Sequence, residues 1–367
     1  MSVDLLYTDI EEALRSSVAD LLADRSGPTR VLATIESDQP CDLALWETLG
    51  GQLGVAALLV PEKFGGVGAS AREAAVVAEE LGRAVAPVPF LGSAVLATTA
   101  LVACAAADPL AALAAGDLTA ALAVPLATMP GDPFPDTVQA SSGRLTGHVR
   151  TVADAAVAGL LVVPAIGPDG PALYSVSTEG ITVTPVTALD RTRGIADVTM
   201  AGAPGTLLAG PDLAPAVLDE ALTTGAGVLA SEQLGVAQWC LDTTVRYVKE
   251  RYQFGRPVGS FQALKHRLAD VWLELVTARA AARYAADALA SASDVAVAVS
   301  VAQAYCSAVA VHAAEEAVQL HGGIGMTWEH PAHLFLKRAK SSEIALGTPG
   351  RHRARLAGLV DLPGPVA

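Results

Sequence analysis

The sequence has little positive charge and no run of basic residues. Its 367 residues include 24 Lys and Arg against 38 Asp and Glu, which gives a formal net charge of −14. Proteins that bind nucleic acid or an anionic membrane surface need clustered basic residues to neutralise the phosphates. The composition therefore argues against both partners, and an anionic small ligand would need locally placed donors.

Cysteines are few and far apart. The four of them, Cys41, Cys104, Cys240 and Cys306, form no CxxC pair and have no histidine at ligand spacing. Such scattered cysteines are typical of buried thiols rather than of disulfides or a zinc centre. The sequence predicts no metal site.

An export signal and a membrane span are also not expected. Acidic residues stand among the first fourteen, where a signal peptide would carry basic ones, so we expect a cytoplasmic protein. Residues 295–314 have no Asp, Glu, Lys or Arg, but alanine dominates them and Ser, Gln and His interrupt them. This pattern favours a buried helix over a transmembrane one.

The pattern of apolar residues changes twice along the chain. Residues 1–116 have helical periodicity, with one stripe that includes Ile10, Val18 and Leu22. Residues 117–210 alternate short Val, Leu and Thr runs with Gly, Pro and Asp clusters, which predicts an antiparallel β domain. Residues 211–367 return to long alanine-rich helices, with Leu234 and Leu241 on one face, which predicts a helical bundle. The fold class is therefore α+β, and neither GxGxxG nor GxxxxGK[ST] is present to indicate a nucleotide fold of the common kinds.

One polar segment stands at the predicted break between two bundle helices. Residues 251–258 read RYQFGRPV, and Ser260, Phe261 and Gln262 follow closely. A guanidinium, aromatic rings and amides suit a pyrophosphate and a flat ring system. A loop between two bundle helices is often polar in any case, so these residues alone leave both interpretations open.

Two motifs resemble those of the FAD-dependent acyl-CoA dehydrogenases. The first is the 251–262 segment, which is followed by Lys265 and His266, and the second is QLHGGIG at residues 319–325. The segment PEKFGGVG at residues 61–68 resembles the N-terminal motif of the same family. The resemblance implies an N-terminal α domain, a middle antiparallel β domain and a C-terminal four-helix bundle, with an acyl-CoA substrate.

The resemblance also implies which residues meet the cofactor. They would hold the pyrophosphate and adenosine end of an FAD that is bound mainly by a neighbouring subunit, so dimerisation is part of cofactor binding. The implied residues are Arg251, Gln253, Phe254, Val258, Gln262, Gln319, Gly322, Gly323 and Thr348.

The family's catalytic base has no counterpart at its two usual positions. The reaction removes the α-proton of the thioester with a glutamate, but these positions carry Leu346 and Gly225. A relocated base is the alternative. Glu232 lies seven residues beyond Gly225, about 10 Å along a helix, and Glu343 precedes Leu346 by three residues.

The middle domain departs from the family as well. Residues 124–132 do not match the family's flavin loop, and a segment like His148–Thr151 replaces its Lys-x-Trp-Ile-Thr strand. The chain thus resembles the non-catalytic member of the actinobacterial α2β2 acyl-CoA dehydrogenases, which implies a paralogous partner in a tetramer and an electron-transfer flavoprotein. Two alternatives are a self-sufficient homo-oligomeric enzyme and a flavin-free scaffold subunit.

Overall fold

Helices precede and follow a block of strands, in the order that the sequence predicts. The computed structural model describes residues 5–39 and 41–363, which contain eleven α-helices and ten β-strands. The helices are α1 (Asp9–Arg25), α2 (Pro28–Glu36), α3 (Leu43–Glu47), α4 (Ala71–Ala84), α5 (Thr98–Ala103), α6 (Ala107–Ala115), α7 (Ala214–Glu250), α8 (Gln262–Ser291), α9 (Val295–His321), α10 (Ala332–Ile344) and α11 (Pro349–Leu359). The strands are β1 (Ala120–Leu122), β2 (Val138–Ser141), β3 (Arg144–Ala153), β4 (Leu160–Gly167), β5 (Gly170–Ser177), β6 (Thr182–Pro185), β7 (Ile195–Pro204), β8 (Thr206–Ala209), β9 (Tyr252–Gln253) and β10 (Arg256–Pro257).

The chain divides into two compact units. Residues 1–30, 75–86 and 227–367 form the first, here called the helical unit. Residues 31–74 and 87–226 form the second, here called the sheet unit. The domain limits drawn from the sequence, at residues 116 and 210, stay predictions.

The sheet unit is built around one mixed sheet. Its strands follow the order β6-β7-β3-β2-β4-β5-β8, and β1 pairs with β4 outside this path. Most neighbours are antiparallel, as the sequence predicts, but β1 and β2 both run parallel to β4. Alternate side chains of the strands point into a core of small and branched residues. That core includes Val138, Leu145, Val149, Leu161, Val163, Val176, Val198 and Met200.

The helical unit combines α1, most of α4, the part of α7 from residue 227, and α8 to α11. The predicted stripe on α7 is buried at Leu234, Ala237 and Leu241, and α8 buries Val271 and Leu275 one turn apart. The helix α9 is buried on most sides because alanine, valine and serine let neighbouring helices approach closely. By length and composition alone, Val295–Met326 could cross a membrane, but 61% of its apolar window is buried within the protein, as the sequence predicts.

The start of α1 corrects one detail of the predicted stripe. Ile10 is 75% exposed, whereas Glu11 is almost completely buried. The reason is a capping box, in which Glu11 N donates to Thr8 Oγ1 and Thr8 N donates to Glu11 Oε2. The box turns the first helical turn so that Ile10 faces outward, while Val18 and Leu22 remain in the core.

Candidate functional site

The segment between α7 and α8 folds into a tight hairpin. Gln253 of β9 pairs with Arg256 of β10, and Phe254 and Gly255 form the two-residue turn with φ of 53° and 75°. Two consecutive left-handed residues define a type I′ turn, which suits glycine and is unusual for phenylalanine. Val258 N donates to Arg251 O over 2.8 Å and closes the base of the hairpin. The hairpin is therefore held by backbone hydrogen bonds.

The hairpin presents aromatic and cationic groups to the outside. Phe254 is 89% exposed, and Tyr252 is 62% exposed. The Arg256 guanidinium lies 3.9 Å from the centroid of the Phe261 ring, and Phe254 meets the same ring edge-on at 6.0 Å. Arg251 is exposed, and within residues 5–39 and 41–363 its side chain makes no hydrogen bond or ion pair. The Phe254 ring and the Arg251 guanidinium are therefore both exposed at the surface of the chain.

The second segment makes its backbone accessible. The helix α9 ends at His321, and Gly322 adopts φ 62° and ψ −140°, a conformation that is essentially confined to glycine. Gly322 and Gly323 are exposed, and no atom lies within 4 Å of the position that a Cβ would take on either residue. Gln319 is exposed on the preceding turn. A ligand could approach these peptide groups closely.

Ring stacking brings the two segments together. Tyr247, in the last turn of α7, stacks on His321 with the ring centroids 4.4 Å apart. The residues predicted around Arg251 and around Gly322 therefore lie at one end of the helical unit. Thr348 does not join them. It follows Ala345, whose carbonyl accepts from Gln303 Nε2 over 3.1 Å, and Gln303 precedes Gln319 by 16 residues, roughly 24 Å along α9.

A ring cluster beside His321 was missed by the sequence reasoning. His330 lies 4.1 Å from His321 between ring centroids, and Trp239 stacks on Phe335 at 3.5 Å and lies 6.4 Å from His330. Burial lowers the pKa of His321, and burial together with the neighbouring imidazoles lowers the pKa of His330 to about 4. The cluster is therefore uncharged near neutrality. The available signal was the aromatic content just after the second motif, which also includes Trp328, 65% exposed.

Neither usual base position carries a group that can take a proton. Leu346 is completely buried, adopts φ 53°, and accepts a 2.9 Å hydrogen bond from His352 Nε2 through its carbonyl. Gly225 lies within α7 and has no side chain. Leu346 is therefore part of the apolar core.

Glu232 is engaged in a buried ion pair. Its Oε1 accepts from Arg338 Nη1 over 3.0 Å, and both side chains are less than 10% exposed. Arg338 Nη2 also donates to the Ala86 carbonyl over 3.4 Å. A carboxylate that already balances a buried guanidinium is a poor proton acceptor, because protonation would leave the cation unpaired. Glu343, the other candidate, is half-buried on α10.

In the sheet unit, the segment around His148–Thr151 forms a polar cluster. Thr151 N donates to Asp197 Oδ1 over 2.8 Å, and Arg150 and His148 each lie 3.9 Å from the same carboxylate. The pairing of β3 with β7 shifts register at this point, and Thr151 has φ 52°. The side chains held here are thus charged or hydrogen-bonding groups, and no tryptophan is among them.

Comparisons with known proteins agree with this geometry. Residues 216–359 match the family profile "Acyl-CoA dehydrogenase, C-terminal domain", and residues 8–108 match "Acyl-CoA dehydrogenase, N-terminal domain". The chain is 38% identical to acyl-CoA dehydrogenase IpdE2 of Mycolicibacterium smegmatis over 94% of its own length and 97% of that protein. The chain belongs to the acyl-CoA dehydrogenase family.

Two solved structures are similar to this chain over almost its whole length. The ChsE4–ChsE5 complex of Mycobacterium tuberculosis has a TM-score of 0.87 and 26% identity, with 99% of this chain and 100% of that chain covered. A variant of the steroid acyl-CoA dehydrogenase Tcur3481–Tcur3483 has a TM-score of 0.84 and 29% identity, with 96% and 98% covered. The N-terminal α, middle sheet and C-terminal helical architecture is that of the family.

Acyl-CoA dehydrogenases are oxidoreductases that bind FAD and act on acyl-CoA, and this chain shares that class and cofactor. The groups at the end of the helical unit fit such a cofactor chemically. Arg251 offers an uncommitted guanidinium to phosphate, the glycines expose peptide N–H groups, and Phe254 offers a ring face.

Proposed function

We propose that this chain is the non-catalytic subunit of a two-chain acyl-CoA dehydrogenase and that it completes the FAD site of a catalytic paralogue. One observation carries the proposal: both usual base positions lack a carboxylate, and Leu346 is completely buried in the core. The chain retains the residues that reach outward to a cofactor while it lacks the group that would remove the α-proton.

The hairpin and the glycine segment are the parts that serve the partner. In the proposal, Arg251 donates charge-assisted hydrogen bonds to the pyrophosphate, and Gln253 and Gln319 donate from their amides. The peptide groups of Gly322 and Gly323 approach the adenosine end, with Phe254 against it, and Val258 and Gln262 complete the surface. Thr348 is proposed as a further contact through a separate surface of the chain. When bound, FAD supplies the acceptor for the β-hydride of the substrate.

The sheet unit supports the non-catalytic assignment. Where the family's flavin-binding strand is expected, Arg150 and His148 surround Asp197, and Arg150 is 76% exposed. Polar and charged side chains grouped around one carboxylate give a flavin ring no apolar face to stack on. This chain is therefore proposed to hold no flavin of its own.

The proposed reaction of the assembled pair is α,β-dehydrogenation of a bulky acyl-CoA to the trans-2-enoyl-CoA. The similarity to a steroid acyl-CoA dehydrogenase favours a CoA thioester derived from a steroid side chain or ring. The name of a two-chain complex among the similar structures favours a paralogous partner in a tetramer. Electrons are proposed to leave through an electron-transfer flavoprotein.

Co-expression tests the proposal. The chain is purified alone and with a paralogue encoded beside it, and flavin absorbance per chain and dye reduction are measured with a panel of acyl-CoAs that includes steroid-derived thioesters. Flavin and turnover only in the co-purified pair support the proposal. A yellow, active homo-oligomer would contradict it and direct attention to Glu232 and Glu343, whereas a colourless pair without turnover would favour a scaffold role.

A substitution in the hairpin tests the cofactor contact. Arg251→Ala should weaken FAD retention by the assembled pair about tenfold, because a charge-assisted contact to the pyrophosphate is lost. Arg353→Ala, which removes an exposed arginine on α11, is the matched control and should retain flavin fully. Flavin content is measured after dilution and rapid desalting, and equal retention by both variants would rule out the role of Arg251.

A further inference from the structure

A cavity of about 440 Å³ lies within the sheet unit, and its lining includes none of the residues proposed to contact FAD. Its walls combine chain segments before α3, after α4, after β3 and between β6 and β7. A cavity of this volume with mainly apolar walls is suited to a small organic molecule. The apolar side chains that line it include Leu43, Val88, Val157, Val186 and Ile195.

Hydrogen bonds fix the polar part of the wall before any ligand arrives. Asp190 Oδ1 accepts from Thr192 N over 2.9 Å and from Thr192 Oγ1 over 2.5 Å. Asp154 Oδ2 accepts from Gly92 N over 3.0 Å, and Asp154 N donates to Gly194 O over 2.8 Å. A wall that is already ordered does not lose conformational freedom again on binding, so a ligand is held more tightly.

Two arginines, Arg191 and Arg193, line this wall, and Arg193 is buried and engaged by other groups of the chain. Arg191 lines the cavity and is exposed, and in the described part of the chain its side chain makes no hydrogen bond or ion pair. Asp154 Oδ2 and Asp190 Oδ1 instead accept from donors of the chain itself. Asp38 is an exposed carboxylate elsewhere in the lining. Arg191 lies between Asp190 and Thr192, whose hydrogen bonds fix this part of the backbone.

We propose that this cavity binds a small amphipathic organic anion. Its apolar body would lie against Val88, Val157 and Ile195, and its carboxylate or equivalent group would pair with Arg191. The inference does not depend on the non-catalytic assignment, because it uses none of the residues on which that assignment rests.

The test uses the full-length chain in its purified, flavin-loaded assembly, with 8-anilinonaphthalene-1-sulfonate as the probe. We expect one saturable dye site per chain in a fluorescence titration. Arg191→Gln should weaken it at least about threefold, because one ion pair is lost. Ala156→Trp, at an exposed position of the lining, should abolish it by filling the space. Arg144→Gln, an exposed arginine of the sheet unit outside the lining, is the matched control and should leave binding unchanged.

Two results would overturn the proposal. If Arg191→Gln and Ala156→Trp both bind the dye as the unsubstituted chain does, the dye is an adventitious additive on another surface, such as the exposed rings of the hairpin. If a cationic dye such as berberine binds in the cavity more tightly than the anionic one and Arg191→Gln strengthens it, the ligand is a cation held by Asp38. Thermal midpoints of all variants are measured first, so that loss of binding is read only from folded protein.

Discussion

Glu232 and Arg338 illustrate how a residue's role depends on a partner that sequence reasoning could not identify. From spacing alone, Glu232 is a candidate base, because it shares a helix face with the position where the family places one. In the structure its carboxylate accepts from a guanidinium 106 positions later in the chain. No local sequence pattern predicts this ion pair, because α7 and α10 come into contact only in the folded helical unit. We therefore regard the pair as structural.

Removing the cation should be far more damaging than removing both charges. Arg338→Met leaves a buried, uncompensated carboxylate and should lower the free energy of unfolding by about 3–5 kcal/mol. The double variant Glu232→Leu with Arg338→Met leaves no buried charge, so it avoids the desolvation penalty. It should recover most of the lost free energy of unfolding. Urea denaturation of the three proteins measures this. A double variant no more stable than Arg338→Met would show that packing, and not charge, dominates at this site.

The residues proposed to contact FAD, and the contacts that position them, divide in the same way into those that could be predicted and those that could not. Arg251, Gln253, Phe254 and the glycines stand in contiguous motifs, so the resemblance identifies them directly. Tyr247 and His321 stack only because two helices end side by side. That contact depends on tertiary structure, and the sequence carries no signal for it.

At the scale of elements, two helices of the helical unit cross at a pair of glycines. Gly82 of α4 faces the Glu232 carbonyl of α7, and Gly235 of α7 faces the Glu79 carbonyl of α4. A Cβ on either glycine would overlap the backbone of the other helix. The backbones can come this close only because neither residue has a side chain.

Alanine at this crossing should separate the helices. Gly235→Ala should destabilise the protein by about 2 kcal/mol or more, since backbone atoms have to move. Gly358→Ala, on α11 with open space around it, should instead stabilise it by about 0.5–1 kcal/mol through helix propensity. Thermal and urea unfolding of both variants distinguish the two effects, and equal shifts in the same direction would contradict the close crossing.

The sequence predicts some of the strands but not how they pair. Short apolar runs in the segment 117–210 predict strands, and the runs at residues 160–166, 173–176 and 181–186 correspond to β4, β5 and β6. The strands β2 and β8 have only four residues each, too few for an alternating pattern to be recognised in the sequence. The parallel pairing of β1 with β4 joins residues 40 positions apart, such as Ala120 and Leu160, and no turn specifies it.

For the molecule as a whole, buried imidazoles link stability to pH. Burial lowers the pKa of His321, His330 and His352, so the folded protein keeps all three neutral below pH 6.5, where the unfolded chain takes up protons. These histidines do not reduce the stability of the fold above about pH 6.5, and each reduces it as the pH falls below that value, in the case of His330 until about pH 4. Burial raises the pKa of Glu80, so this one carboxyl group opposes the loss of stability at low pH.

The thermal midpoint should therefore fall steadily between pH 6.5 and 4.5. His330→Gln should flatten this dependence, because the group whose pKa is lowered to about 4 no longer takes part. His266→Gln, at an exposed imidazole on α8, should leave the slope unchanged. Scanning calorimetry of the three proteins across this range measures the slope, and parallel curves for all three would contradict the link to the ring cluster.

The burial of Leu346 has a consequence for ancestry as well as for chemistry. Once a core has closed around a leucine, restoring glutamate there in a single step places a carboxylate in an apolar, fully enclosed position, at a cost of several kcal/mol. Natural selection would meet an unstable intermediate before any gain in activity. In the two-chain enzyme proposed above, such a leucine would act as a ratchet that keeps the two paralogues dependent on each other.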